Sequence, residues 1–195
     1  MITLYIVRHG TTEANAKKIV QGQTDTPLTQ QGKVDAAALA KKLEEIRFDA
    51  IYSSDLGRAF MTEFIIAKLD HEEDKIHTDA KLRELDFGDE GNHKKDQVLA
   101  DFPQYQTDAD FVFPDGESFN QMKQRVTSFL VELATKHEGE TILIVTHSCC
   151  IRAIKSWAKN IDPDLHLLQS KVPHDYVSII KIEKDSVQSY TEASN

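Results

Sequence analysis

Short unbroken apolar runs alternate along the chain with longer stretches in which apolar residues recur every three or four positions. Thr3 to Val7 (Thr-Leu-Tyr-Ile-Val) is β-branched and aromatic, is stopped by Arg8 and Gly10, and reads as a buried strand. Asp49 to Tyr52 reads the same way, Thr141 to Val145 (Thr-Ile-Leu-Ile-Val) is the strongest such run, Val177 to Ile182 forms a last one, and Ile76 to Thr78 a weaker one. Helical spacing fills the intervals. An Ala-rich amphipathic stretch runs from about Gln30 to Ile46 behind Thr29 as N-cap, and a second from about Leu56 to Leu69 behind Ser53-Ser54-Asp55. From Glu117 the residues Phe119, Met122, Val126, Phe129, Leu130 and Leu133 mark one buried helical face, and a further helix follows His147 to about Lys159. This order predicts an α/β fold, a three-layer α/β/α sandwich on a largely parallel sheet, because parallel neighbours need crossovers of helical length. The segment from about Gly88 to Gly116 has weak periodicity and reads as a small cap or lid.

The chain has 195 residues, 40% of them hydrophobic and 28% charged, which suits one domain spanning 1–195 with a well-filled core. No internal repeat or low-complexity linker interrupts it. Lys plus Arg number 23 against 32 Asp plus Glu, a net charge of −9, so nucleic acid and anionic membranes are not expected partners. Taken alone, that charge also disfavours a phosphorylated substrate, although a few residues can oppose the field of the whole. Met1 to Val7 runs into Arg8 without a basic leader, and no stretch approaches the roughly 20 apolar residues of a membrane span, so a cytoplasmic location is expected. Cys149 and Cys150 are adjacent, which excludes a disulfide framework and leaves them as small buried hydrophobes. His71, His77, His93, His137, His166 and His174 show no patterning and read as surface or structural residues.

In an open parallel sheet, ligands bind beyond the carboxyl ends of the strands. The first strand exits into Arg8-His9-Gly10, the second into Ser53-Ser54-Asp55 with Arg58 one turn along the helix, and the strongest into His147. Two arginines and two histidines are thus expected on one edge. Guanidinium groups repel a metal cation, and no carboxylate stands at ligand spacing from either histidine, so no metal is expected. A tetrahedral anion fits, because Arg presents a planar fork to phosphate oxygens and helix N-termini after His9 and His147 would add N–H donors. Phosphate held beside a neutral imidazole allows attack on phosphorus and a phosphohistidine intermediate, with the arginines neutralising the transferring group. The leaving alkoxide needs a proton, for which Glu84 in Leu82-Arg83-Glu84-Leu85-Asp86 is the best-placed carboxyl.

Arg8-His9-Gly10-Thr11-Thr12-Glu13-Ala14-Asn15 resembles the signature of the histidine phosphatase superfamily, also called the phosphoglycerate mutase-like family. The resemblance continues in order through Gly22-Gln23-Thr24-Asp25-Thr26-Pro27-Leu28-Thr29, Ser53-Ser54-Asp55-Leu56-Gly57-Arg58-Ala59, Leu82-Arg83-Glu84 to Gly91, Pro114-Asp115-Gly116-Glu117-Ser118 and Val145-Thr146-His147. It implies His9 as the phosphorylated nucleophile, Arg8, Arg58 and His147 as phosphoryl ligands, and Glu84 as proton donor. It further implies Asn15 in the phosphate pocket and Gln21 and Gly22 facing the substrate's organic portion. No cofactor is implied, the product is inorganic phosphate, and a homodimer is compatible with it. Two departures stand out. Ser148-Cys149 replaces the usual glycine, bringing Ser148 toward the phosphate, and Gly88-Asp89-Glu90-Gly91 lacks the tryptophan many relatives carry.

A phosphomonoesterase acting on small phosphate esters is the leading expectation, with a phosphoglycerate mutase as the alternative and an inactive phosphate-binding module behind both. Mutases of the resembled family usually read Glu-Ser after Arg-His-Gly and carry extra cap arginines. Here Thr11-Thr12 follows, and the segment from Gly91 to Gly116 has Lys94 and Lys95 but no arginine, amid Asp96, Asp101, Asp108 and Asp110.

Overall fold

A computed structural model describes residues 1–69, 73–163, 168 and 170–193, so His71 and His166 lie outside the described residues. The strands are β1 (Ile2–Arg8), β2 (Ala50–Ser53), β3 (Ile76–Thr78), β4 (Thr141–Thr146), β5 (Val177–Glu183) and β6 (Ser186–Glu192). The helices are α1 (Glu13–Ala16), α2 (Gln30–Leu43), α3 (Gly57–Leu69), α4 (Lys95–Asp101), α5 (Phe119–Lys136) and α6 (Ser148–Lys159). All six strands join one sheet in the order β3-β2-β4-β1-β5-β6. The first four are mutually parallel, and β5 and β6 run antiparallel to their neighbours.

β4 shows how the unbroken apolar run arises. Ile142 and Ile144 belong to the core under α5 and α6, whereas Leu143 and Val145 belong to the core under α2 and α3. With a side-chain period of two and a helix layer on each face, every position from Ile142 to Thr146 is buried, so no polar alternation survives. Truncating Leu143 or Ile144 to Ala would cost about 2–5 kcal/mol. α5 places Met122, Val126, Phe129, Leu130 and Leu133 on its buried side, as the spacing predicts, and starts from a capping box between Ser118 and Gln121.

Several local features differ from the sequence reading. β6 was not expected: its positions are exposed or half-buried throughout, so it carries no core pattern, and it joins β5 through the two-residue turn Lys184-Asp185. α2 ends at Leu43 rather than near Ile46. The segment 88–116 is not uniformly irregular, since it contains α4 and 3₁₀ turns at Gly88–Glu90 and Pro103–Gln106.

Candidate active site

Arg8 stands opposite Thr146 in the parallel pairing of β1 and β4, so His9 and His147 leave adjacent strands side by side. Their ring centroids are 5.1 Å apart at an interplanar angle of 57°. Nδ1 of His9 lies 2.8 Å from the carbonyl oxygen of Gly10. A carbonyl only accepts, so Nδ1 carries the hydrogen and Nε2 keeps its lone pair. Burial holds His9 well below the ordinary histidine value, with Arg8 and Arg58 adding repulsion; His147 is lowered for the same reasons. Both rings are neutral near pH 7. The loop after His9 can lie here because Gly32 lets α2 approach it: a Cβ on Gly32 would stand 2.1 Å from the Thr11 carbonyl oxygen.

Arg58 is 1% exposed, and its guanidinium donates to the carbonyl oxygens of Gly22 and Thr24, each at 2.7 Å. Gly22 adopts φ +53°, and a Cβ there would crowd the Leu85 carbonyl and the Phe87 amide at 3.2 Å. Asp25 accepts from the backbone amides of Gly57 and Arg58, capping α3, and lies 3.5 Å from the Arg58 guanidinium. Arg8 donates to the carbonyl of Val172, and burial, followed by repulsion from Arg152 and Arg58, lowers it to about 10 against the attraction of Glu84. It stays charged at neutral pH.

Four buried polar atoms in this cluster have no hydrogen-bond partner: Nε of Arg8, Nε of Arg58, and Nδ1 and Nε2 of His147. Leaving such groups unmatched costs about 1–3 kcal/mol each. Three residues on two strand exits and one helix thus present unmet capacity beside the Nε2 lone pair of His9, which suits a tetrahedral oxyanion. Among the described residues no group of three His, Cys, Asp or Glu side chains could hold a metal ion.

The cavity above them measures about 350 Å³ and is lined by Arg8, His9, Asn15, Gln21, Arg58 and Glu84, with Gly22 and Ser148 also on its wall. Asn15 and Gln21 are oriented by Thr12: the Asn15 side-chain oxygen accepts from the Thr12 amide, and the Gln21 oxygen accepts from the hydroxyls of Thr12 and Thr26. Their amide NH₂ groups remain as donors. Glu84 is half-buried, and its Oε1 accepts from the amides of Leu85 and Cys149 at 3.0 Å. One of the helix N-terminal donors expected for the anion is therefore taken by Glu84. The Cys149 amide at the start of α6 is used by Glu84, and α1 is a four-residue turn closed by its own Thr12–Asn15 capping box.

The lining also includes the apolar Phe87, Val98, Leu99, Tyr105 and Leu168 and two further cations, Lys95 and Arg152. The sequence reading did not include these, nor Asp25 or His174. Arg152 had a usable signal, since it lies four residues beyond Ser148 on α6 and so on the same helical face. His174, which lies just before β5, reaches the site because β5 runs antiparallel to β1 and therefore begins at the edge where β1 ends.

The model of the histidine phosphatase superfamily (branch 1) matches residues 4–193. A metal-independent phosphoserine phosphatase of Arabidopsis thaliana is 37% identical over 158 residues, 77% of this chain and 66% of that protein. Phosphoglycerate mutase-like protein 4 of the same plant is 35% identical over 168 residues, 80% of this chain and 70% of that protein. Among solved structures, YhfR of Bacillus stearothermophilus superposes with a TM-score of 0.87 at 32% identity, covering 96% of this chain and 95% of its own.

Proposed function

The chain belongs to the histidine phosphatase superfamily, and from that premise we propose that it is a metal-independent phosphomonoesterase working through a phosphohistidine. The observation that carries this reading is the set of unpartnered donors on Arg8, Arg58 and His147 around the free Nε2 of His9. Nε2 attacks phosphorus as the ester P–O bond breaks, and protonated Glu84 gives its proton to the departing alkoxide. Water then attacks the phosphohistidine, Glu84 recovers a proton, and inorganic phosphate leaves. The two arginines and His147 hold the equatorial oxygens, where charge stabilisation dominates phosphoryl transfer. Asn15, Gln21, Gly22 and Ser148 complete the pocket around the phosphate and the first atoms of the alcohol.

Hydrolysis is favoured over mutase action by the apolar wall. A mutase must seat a second strongly anionic group beyond the transferring phosphate, whereas Phe87, Val98, Leu99, Tyr105 and Leu168 offer mostly hydrocarbon, with Lys95 and Arg152 as the cations among them. Small monophosphates with a partly apolar alcohol fit this lining. We read 1–195 as one domain in which segment 88–116 is the cap supplying Val98, Leu99 and Tyr105 to that wall. A cytoplasmic setting accords with both cysteines being free; no helix among the described residues is long and apolar enough to cross a membrane.

The deciding experiment is phosphate release, with chelator present, from a panel including phosphoserine, 3-phosphoglycerate, sugar phosphates, nucleotides and α-ribazole phosphate. The wild type should turn over at least one member, and His9→Ala should lose at least about a thousandfold. An equally active variant rejects the nucleophile, and isomerisation of 3-phosphoglycerate outpacing its hydrolysis rejects the phosphatase reading.

A further inference from the structure

The peptide unit joining His9 to Gly10 lies beyond the last paired residues of β1, since the ladder toward β5 ends at Val7 opposite Val177 and that toward β4 at Arg8 opposite Thr146. Its two polar ends are held instead by side chains from different parts of the fold. The Gly10 amide donates to Oγ1 of Thr62 on α3 at 3.0 Å, and Nδ1 of His174 lies 2.7 Å from the His9 carbonyl oxygen. Because a carbonyl accepts, His174 is the donor through Nδ1–H. The His174 ring also meets the His9 ring edge-on, with centroids 5.7 Å apart.

We infer that His174 is a positioning residue for the nucleophile: with Thr62 it clamps the His9–Gly10 peptide, and so fixes the Cα of His9, which bears the ring, and that of Gly10, from which the carbonyl on the next peptide reaches back to the ring. The chain of contacts is continuous. Thr62 is itself anchored by donating to the Arg58 carbonyl at 2.8 Å, Gly10 carries the carbonyl that accepts from His9 Nδ1 at 2.8 Å, and the opposite nitrogen is the one that attacks. If His174 let go, the peptide could rotate about its flanking bonds, the His9 and Gly10 Cα atoms would shift against one another, and Nε2 would leave its line to phosphorus. A displacement of about 1 Å from in-line geometry costs phosphoryl transfer far more than it costs binding.

The segment around His174 serves the same edge in other ways. The Val172 carbonyl accepts from Arg8, the Ser170 carbonyl accepts from Nε and a terminal nitrogen of Arg152 at 2.9 and 2.7 Å, and Leu168 lines the cavity. Ser170, Val172 and His174 thus strap two cavity arginines and the nucleophile together. His174 remains a neutral donor under working conditions, because burial and then Arg8 lower it to about 4, outweighing its bond to His9 and the attraction of Asp35 and Asp175.

The inference rests on the phosphatase reading and is tested with His174→Ala, His174→Asn and His174→Gln, using p-nitrophenyl phosphate in rapid-mixing and steady-state assays. Asn places an amide N–H where Nδ1 stood, whereas Gln places it one bond further on. His174→Ala and His174→Gln should each slow phosphoryl transfer to His9 by about tenfold with KM changed by less than about twofold, and His174→Asn should recover most of the rate. A His174→Ala variant at wild-type rate, a loss confined to KM, or Asn and Gln variants that cannot be told apart would overturn it. If the Ala variant does not fold, the Asn and Gln pair decides the matter. An inert wild type instead overturns the phosphatase reading, and orthovanadate affinity ranked across the three variants then tests the clamp separately.

Discussion

The rings of His9 and His147 stand with centroids 5.1 Å apart, both buried and both lowered in pKa mainly by that burial. Arg8 and Arg58 add to the lowering on each ring, so protonating either one would bring a third positive charge into a sealed cluster. On the proposed mechanism, two neutral imidazoles divide the labour, His9 offering a lone pair to phosphorus and His147 an N–H to a phosphoryl oxygen.

An acid limb centred at the ordinary histidine value should accordingly be missing from the pH–rate profile. The dependence of kcat/KM reports ionisations of the free enzyme, and His9 keeps its lone pair well below 6.5. After correction for the substrate's own ionisation at about pH 6, kcat/KM should show no fall from neutrality down through about pH 5.5. A limb at 6.5 that follows His9 would show that the ring titrates as an exposed one.

Asp25 holds both the start of α3 and the cation that start presents. Its carboxylate accepts from the amides of Gly57 and Arg58 and also faces the Arg58 guanidinium. Asp25→Ala should lower stability in urea by about 1–2 kcal/mol, the usual worth of an N-cap, and should raise KM by loosening Arg58. Asp25→Asn keeps an acceptor for the amides, so it should recover most of the stability and little of the KM. Equal effects of the two substitutions would separate Asp25 from the cap.

What could be read from the sequence follows from how each feature is encoded. β1, β4 and the buried face of α5 are written as local periodicity, and Arg8, His9, Arg58 and His147 follow from the rule that strand exits bear ligands. Asp25 and His174 are written nowhere locally. Asp25 caps a helix 32 positions away, and His174 meets His9 only because β5 turns antiparallel beside β1. The apolar wall was hidden for another reason: Val98, Leu99 and Tyr105 sit in short helical turns whose period is too brief to register. The net charge of −9 proved a poor guide to the substrate, since the cations that matter are gathered in one cavity.

The two cysteines should be chemically quiet in the folded protein, although Cys149 lies on the cavity wall. Burial, reinforced by Glu84, pushes the Cys149 thiol up to about 12 and Cys150 higher still, so neither supplies thiolate near neutrality. Iodoacetamide at pH 8 should leave activity intact over the time in which it fully alkylates both residues in urea. Rapid inactivation with one equivalent incorporated would contradict this.

Stability should peak near pH 6.5, because buried groups of opposite sense meet there. His9 and His147 sit well below their ordinary value of 6.5 in the folded state, so beneath that pH the unfolded chain binds protons the native one refuses. Stability then falls with falling pH, by up to about 1.4 kcal/mol per pH unit for each ring. Glu63 acts oppositely. It is fully buried on α3, accepts from the Ser53 hydroxyl at 2.5 Å, has its other oxygen unpartnered, and is raised by burial from 4.5 to about 8. Between those values the native state holds a proton that the unfolded chain has released, so this contribution is complete below 4.5 and is lost as pH rises through 8. From pH 6.5 to 8 Glu63 acts without the histidines, removing about 2 kcal/mol. Melting temperatures across pH 5 to 9 should therefore rise to about 6.5 and then decline. In Glu63→Gln, whose amide oxygen can still accept from Ser53, the alkaline decline should vanish and the acid slope should steepen, because Glu63 opposes the histidines between pH 4.5 and 6.5. A wild-type melting temperature that is level from 6.5 to 8, or a Glu63→Gln profile parallel to it, would mean Glu63 is ionised in the native protein.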